Sequence, residues 1–322
     1  MMLKLHKQPT TSMLVQIATT EDAAALHKLL ERSRNVHLTL GNEDLMAALA
    51  TGRVLLLRAG AAQSLDLVGA WVTVAEERPP SLSANAPELI YLRGVAFQRH
   101  FSPTHGMQHL LGAFALRYAQ TSHPLQLIAY SDDGWLDRAL HSAGMTLTEH
   151  VQFFVLERLQ KRHWEIAAAR SACAIHMAAA DHMARLADLD AVAFPPLWRY
   201  SLRRLQEALW QGPLLVAQVG DELIGYSSLL LNRDACTIAR LAVHPNWQGQ
   251  GYGRALLLAG LQLAQEQGCD YAMLNTQAAN HRSQQLYRSL GFRPTGESFA
   301  VFVLDLPASL PAPRAGLKGD SA

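Results

Sequence analysis

The chain repeats itself, and no other feature of its 322 residues constrains the fold as tightly. Val15-Gln16-Ile17, then Thr20-Glu21-Asp22 and an alanine-rich run to Leu26, read as strand, cap and helix. Ala174-Ile175-His176, Ala180-Asp181 and the run to Leu186 repeat that order. In each half an Asp stands beside the start of the helical pattern, where its side-chain oxygen can cap orphan amides. A pair of apolar runs follows twice: Val54–Leu57 then Leu67–Val72, and Leu214–Ala217 then, across Gly220-Asp221, Leu223–Tyr226. Gly106 ahead of one helix answers Gly251 ahead of another, and the Ala143-Gly144-Met145 turn answers Leu290-Gly291-Phe292. The offsets are 158 for Ile17/Ile175, 156 for Gly69/Gly225, 145 for Gly106/Gly251 and 147 for Gly144/Gly291. The one large drop brackets Glu76 to Pro87, a Pro/Ser/Asn-rich stretch without counterpart. A single insertion accounts for it, and four ordered anchors point to duplication.

Each half therefore reads as strand, helices, antiparallel strands, helix, strand, helix, strand, an α/β or α+β layer on a mixed sheet. The expected division is 1–157, a linker over 158–173 in which Ala167 to Arg170 can be helical, 174–306, and a Pro/Ala/Gly tail over 307–322 that frays. A hydrophobic fraction of 49% with 17% charged residues supports two packed cores and excludes a disordered chain. Twenty-eight Lys and Arg against 27 Asp and Glu leave a formal charge of +1, so no basic field recruits nucleic acid or an anionic membrane. No apolar run approaches a membrane span, and no apolar region follows Lys4 and Lys7 as a signal peptide requires. Cys173, Cys236 and Cys269 are odd in number and far apart, which fits a reducing cytoplasm and no zinc knuckle. His105 and His109 share a helix face at i, i+4, but without a carboxylate they read as a solvated helix start rather than a metal site.

The chemistry sits in one loop. A β-rich run, Ile238 to Val243, stops at His244-Pro245. Asn246-Trp247-Gln248-Gly249-Gln250-Gly251-Tyr252-Gly253-Arg254 follows, and then a helix with Leu256, Leu257, Leu261, Leu263 and Ala264. The first N–H groups of a helix have no internal partner, and its dipole puts positive potential there. Glycines at 249, 251 and 253 remove the Cβ atoms that would hold a diphosphate away from those amides. The loop lacks the GK[ST] ending of a P-loop and the spacing of GxGxxG. A second segment adds to it: Tyr271–Asn275 reads as a strand, and Asn280 caps a helix that Gly291 ends. Asn280, Ser283 and Tyr287 stand at i, i+3, i+7 on one face of that helix.

Together these residues resemble the GNAT superfamily of acetyl-CoA-dependent N-acetyltransferases. Gln248-Gly249-Gln250-Gly251-Tyr252-Gly253 matches its Q/R-x-x-G-x-G/A signature. Leu241-Ala242-Val243-His244-Pro245 and Asn280…Leu286-Tyr287…Leu290-Gly291-Phe292 match its flanks. The resemblance is strong over 174–306 and traceable over 15–157. It implies two tandem GNAT-like domains, each a mixed, mostly antiparallel twisted sheet flanked by helices. It also implies acetyl-CoA as co-substrate, no metal, and a small-molecule or peptide amine as acceptor, in a monomer or homodimer. Leu241, Ala242 and Val243 would offer backbone groups to the pantetheine arm. Gln248, Gly249, Gln250, Gly251, Tyr252, Gly253 and Arg254 would wrap the diphosphate. Asn280 and Ser283 would meet the arm, and Tyr287 would be the general acid toward the leaving thiolate.

Two departures qualify this. Many relatives carry Glu or Asp just before the Leu-x-Val segment as general base. Here Ala239 and Arg240 stand there, so the base is unassigned, with His244 read as turn chemistry rather than a relay. The first half reads Pro103-Thr104-His105-Gly106-Met107-Gln108-His109, with Gln108 in place of the last glycine, Leu140 in place of Tyr287 and Asp133 in place of Asn280. It is expected to be a degenerate, non-catalytic copy. The Phe194–Tyr200 segment is expected to wall the acceptor site, its aromatic and basic character suiting a partly apolar or acidic acceptor. The reading that competes with an enzyme is an acyl-CoA-binding or regulatory protein that turns nothing over.

Overall fold

A computed structural model describes residues 12–61, 64–76, 86–119, 121–163 and 173–308. The insertion at 77–85, the helical expectation for Ala167 to Arg170 and the tail from 309 onward lie outside the described residues. The chain runs β1 (Ser12–Ile17), α1 (Ala23–Arg32), β2 (Asn35–Leu38), α2 (Asn42–Ala50), β3 (Val54–Ala61), β4 (Ser64–Ala75) and β5 (Glu88–Phe97). Next come α3 (Pro103–Tyr118), β6 (Leu125–Ser131), α4 (Gly134–Ser142) and β7 (Thr146–Leu156). The second series is β8 (Cys173–Met177), α5 (Met183–Ala193), α6 (Leu202–Gln211), β9 (Leu214–Val219), β10 (Glu222–Asn232) and β11 (Ala235–Val243). It closes with α7 (Tyr252–Glu266), β12 (Tyr271–Gln277), α8 (His281–Ser289) and β13 (Arg293–Leu306).

Two compact units form. Of the described residues, one gathers those from 12 to 76, from 86 to 148 and from 300 to 308; the other gathers those from 149 to 163 and from 173 to 299. In the first, β1, β3, β4 and β5 are antiparallel neighbours, β5 and β6 are parallel, and Ala300–Leu306 of β13 pairs antiparallel with β6. In the second, β8, β9, β10 and β11 are antiparallel neighbours, β11 and β12 are parallel, and Val151–Leu156 of β7 pairs antiparallel with β12. The last strand of each sheet thus comes from the other sequence half. Core residues lie on both faces of each sheet. In the first unit Trp71, Phe97, Phe114 and Leu140 pack on one side, with Leu26, Leu45 and Leu56 on the other. In the second, Leu256, Leu261, Phe154 and Phe292 form one layer, and Leu186, Leu205, Val216 and Tyr226 the other.

The duplication is visible in defects as well as in elements. A bulge shifts the β4–β5 register after Val72, leaving Arg93 without an opposite residue; another shifts β10–β11 after Ser228, leaving Ala239 without one. An extra residue bends and twists a strand. Each parallel pair ends one residue before its bulge, at Leu92 and at Ile238, and the strands then part. What fills the gap differs. In the first unit β2 pairs with Gly94–Phe97, and Thr39 N–H donates to Arg93 O at 2.8 Å. In the second, among the described residues, no strand takes that edge of β11 beyond Ile238.

Two sequence expectations are corrected here. Asp22 does accept from Thr19 N–H at 3.0 Å, but in the second half His182 Nδ1, not Asp181, takes that role by accepting from Ala179 N–H at 3.0 Å. Gly106 answers Gly253 rather than Gly251. Phe97 and Val243 hold the same register, opposite Gly69 and Gly225. A Cβ on Gly106 would meet the Phe97 ring at 2.2 Å, and one on Gly253 would meet Val243 Cγ2 at 3.6 Å. The first half therefore keeps the last glycine and loses the first two. Gln108 is no replacement: its Nε2 donates to Ser142 O.

Candidate functional site

The turn after β11 is built from local chemistry. His244 Nδ1 accepts from Asn246 N–H at 3.3 Å, so this imidazole caps the turn. Gly249 and Gly251 have φ of +79° and +92°, a region L side chains rarely enter. Gly251 is the N-cap of α7 and supplies no side-chain acceptor; the helical ladder starts only with Ala255 N–H to Gly251 O at 3.0 Å. The amides of the first turn therefore face outward without an intrahelical partner. A Cβ at 251 would meet nothing within 4 Å, so the space above the turn is open. The matching helix of the first unit is closed at this point: Ser102 caps it, its hydroxyl accepting from His105 N–H, and Pro103 has no N–H to offer.

A cleft of about 620 Å³ opens over this turn, lined entirely by residues of the second unit. Leu241, Ala242, Val243, Gln248, Gly249, Gly251, Gly253, Arg254, Asn280 and Ser283 all line it. Gln250 and Tyr252 do not. The Gln250 amide turns back to Asn246 O at 3.2 Å, and Tyr252 is buried edge-on against Trp247. Gln248 acts as a brace: its Nε2 donates to Val243 O at 3.0 Å and its Oε1 accepts from Arg282 at 2.7 Å. Arg254 donates to the Ser289 hydroxyl at 3.2 Å. Arg282, which the sequence reading passed over, also lines the cleft and adds positive charge beside the turn.

Asn280 caps α8 with its side-chain oxygen, accepting from Ser283 N–H at 3.1 Å. Tyr287 lies two turns on. It is only 6% exposed, packed edge-on against Phe154 with Phe292 beside it, and it is not among the lining residues. The Ser283 side chain, one turn earlier on α8 and within reach of the Tyr287 hydroxyl, does line the cleft. Burial pushes the phenol above its ordinary value, against a smaller opposing effect of Ser283. In the first unit Leu140 and Asp133 occupy the equivalent places, and Asp133 is spent capping α4.

Arg240, in the place of a family carboxylate, is committed elsewhere. Its guanidinium bonds both oxygens of the fully buried Asp190 at 2.6–2.9 Å, donates to Trp198 O at 2.6 Å, and lies over the rings of Phe194 and Tyr200. Asp190 also accepts from Tyr200 N–H and the Tyr226 hydroxyl, each at 2.6 Å. Burial, reinforced by the adjacent Asp190 carboxylate, drives the Tyr226 phenol well up, so it stays a neutral donor. This network fixes the Phe194–Trp198 segment, of which Phe194, Pro195 and Trp198 line the cleft. Arg199 faces away from it and donates to Phe194 O at 3.0 Å, so the basic character expected of this wall is absent from the cavity. Among the described residues that line the cleft the one carboxylate is Glu149 on β7, a position the sequence reading never considered because it falls in the first half.

His105 and His109 face each other, Nε2 to Nε2, at 3.2 Å, and no group of His, Cys, Asp and Glu among the described residues is arranged to hold a metal ion. No helix among them is long and apolar enough to cross a membrane.

Known proteins resemble this chain in sequence and in fold. The profile of the Acetyltransferase (GNAT) family matches residues 183–292. A putative [ribosomal protein bS18]-alanine N-acetyltransferase of Bacillus subtilis is 29% identical over 82 residues, covering 26% of this chain and 54% of that protein. A mycothiol acetyltransferase of Thermobifida fusca is 44% identical over 52 residues, 16% of each chain. The chain thus spans about half the length of the first relative and far less of the second. In fold, a tandem GNAT protein from the clavulanic acid biosynthesis pathway superposes with a TM-score of 0.55 at 15% identity, over 92% of this chain and all of that one.

Proposed function

For a chain that belongs to the GNAT acetyltransferase superfamily, we propose transfer of an acetyl group from acetyl-CoA to a primary amine in the cleft of the second unit. One observation carries this reading: an edge of β11 that no strand takes among the described residues runs directly into a turn whose helix amides have no intrahelical partner, and both line one cavity. In the first unit both features are closed, by β2 and by Ser102 and Pro103, so that unit is a non-catalytic copy.

The residues fit such a co-substrate. The amides around Gly249, Gly251 and Gly253 hold the diphosphate, with Arg254 and Arg282 adding charge. The Leu241–Val243 edge, whose Val243 O is already held by Gln248, offers its remaining backbone groups to the amide-bearing arm as a strand would, and its end stabilises negative charge on the acyl oxygen. Acetyl-CoA supplies an acyl group already activated as a thioester. Tyr287 holds a proton for the leaving sulfur, and Ser283 stands between its phenol and the cleft. Burial keeps that phenol loaded at neutral pH.

Calorimetry with acetyl-CoA tests the reading. Gly251→Asp, which sets a carboxylate among the anion-binding amides at a left-handed position, should abolish binding while the far-UV spectrum persists. Tyr287→Phe should lower kcat about 10²-fold at unchanged acetyl-CoA affinity; an unaltered rate removes Tyr287 from the reaction. The competing reading, an acyl-CoA binder without turnover, draws on the engagement of Arg240 where relatives carry a base. CoA release on adding a panel of amines separates the two.

A further inference from the structure

Of the charged residues that line the cleft, one has been given no role. They are Arg254 and Arg282, in the first turns of α7 and α8, and Glu149. The two arginines are engaged with Ser289 and Gln248 beside the glycine turn. Glu149 belongs to another element, β7, and neither arginine figures among the causes that shift its carboxyl. The β7–β12 ladder holds its backbone: Val151 pairs with Gln277, and His150 O accepts from Ala278 N–H at 2.8 Å. The Trp198 indole is within reach of the carboxyl and lowers it against the effect of burial, and Trp198 is itself held by Arg240 through its carbonyl. The cleft wall to which Trp198 belongs is aromatic and apolar, with Phe194, Pro195 and Leu241 also lining it.

We infer that Glu149 is the catalytic residue that seats the acceptor as an ammonium and takes its first proton, and that the acceptor is a cationic primary amine carried on an apolar or aromatic body. This rests on the acetyl-transfer reading above. A carboxylate facing aromatic rings is a site for an organic ammonium, which gains an ion pair and the negative faces of the rings together. The proton count closes. The ammonium gives one proton to Glu149, which passes it to water. The free amine attacks the acyl carbon, the C–N bond forms and the C–S bond breaks. The second proton leaves nitrogen as the amide forms, replacing the one that Tyr287 gives to sulfur, and the third stays on the amide. Burial raises the Glu149 carboxyl and the Trp198 indole draws it part of the way back, which moves this group toward the pH range where a base operates.

The test uses the full chain and two kinds of amine, phenethylamine and hexylamine against phenylalanine and norleucine, which add an α-carboxylate. The wild type should favour the first pair by at least about tenfold in kcat/KM, because a second carboxylate faces Glu149. Glu149→Gln should lower kcat/KM for phenethylamine about 10²-fold, erase the acid limb of its pH profile and leave acetyl-CoA affinity unchanged. Trp198→Phe keeps the aromatic wall but removes the donor to the carboxylate, so the acid limb should move to higher pH. An E149Q enzyme with the wild-type rate and profile, or a wild type that prefers the carboxylated amines, overturns the inference and leaves acetyl transfer standing. A wild type that binds no acetyl-CoA, or releases CoA with none of the four amines, overturns the acetyl-transfer reading itself. Should E149Q fail to fold, the limb shift in W198F decides: a limb that does not move means Glu149 is not the group titrating.

Discussion

Arg240 shows how one side chain redirects a site. A guanidinium in the position of a base is a loss of function only if it faces the substrate, and here it turns inward to a carboxylate with no exposed surface. Removing one partner of a buried pair leaves the other charge uncompensated, which costs about 3–5 kcal/mol, whereas the intact pair is roughly neutral against an apolar substitute. Asp190→Asn should therefore lower stability by about that amount in chemical denaturation. Since Asp190 also holds Tyr200 and, through Arg240, Trp198, KM for the amine should rise further than KM for acetyl-CoA. Equal rises would mean that the network does not position the acceptor wall. The pairing of Arg240 with Asp190, fifty residues upstream, could not be read from a string in which both look like surface charges.

At the scale of elements, the difference between the two halves lies in what each bulge exposes. Both strands bend at the same register, but one opening is filled by β2 and the other is left as a cleft edge. The glycine at the start of each following helix reflects the same economy of space. Gly106 touches the Phe97 ring, so an added methyl overpacks a full core; Gly253 has ordinary van der Waals room beside Val243. Gly106→Ala should destabilise by about 1–3 kcal/mol. Gly253→Ala should be neutral or stabilising by about 0.5–1 kcal/mol, as expected when alanine replaces glycine in a helix. Thermal melts of the two variants check this, and similar losses in both would refute the difference in packing. The glycine loop and the capped α8 were legible from sequence because both are runs of neighbouring residues with fixed spacing. The register that sets Gly106 against Gly253 was not, since a two-residue shift at a helix start changes no local pattern.

At the scale of the molecule, each sheet borrows its last strand. The second unit needs residues 149–156, which lie before the 158–173 linker, and the first needs 300–306. A chain of residues 158–322 carries the whole glycine signature yet lacks the partner of β12, the fully buried Phe154 and Leu156, and Glu149. Each of those two apolar side chains contributes about 1.5–3 kcal/mol by burial, and an open β12 edge invites aggregation. This fragment should show no cooperative thermal transition by circular dichroism. A transition matching that of the full chain would show the borrowed strand to be dispensable.

The sequence alone determined what depends on neighbours along the chain: the duplication, the layered α/β class, the glycine turn ahead of α7 and the Asn280 cap of α8. Each follows from backbone conformation and side-chain periodicity within about twenty residues. Tertiary structure decided which opening stayed empty, that Arg240 is spent on Asp190, and that a carboxylate arrives in the cleft from the other half. Those outcomes hang on strand pairing and burial between segments more than a hundred residues apart, where no local spacing reports which side chains will meet.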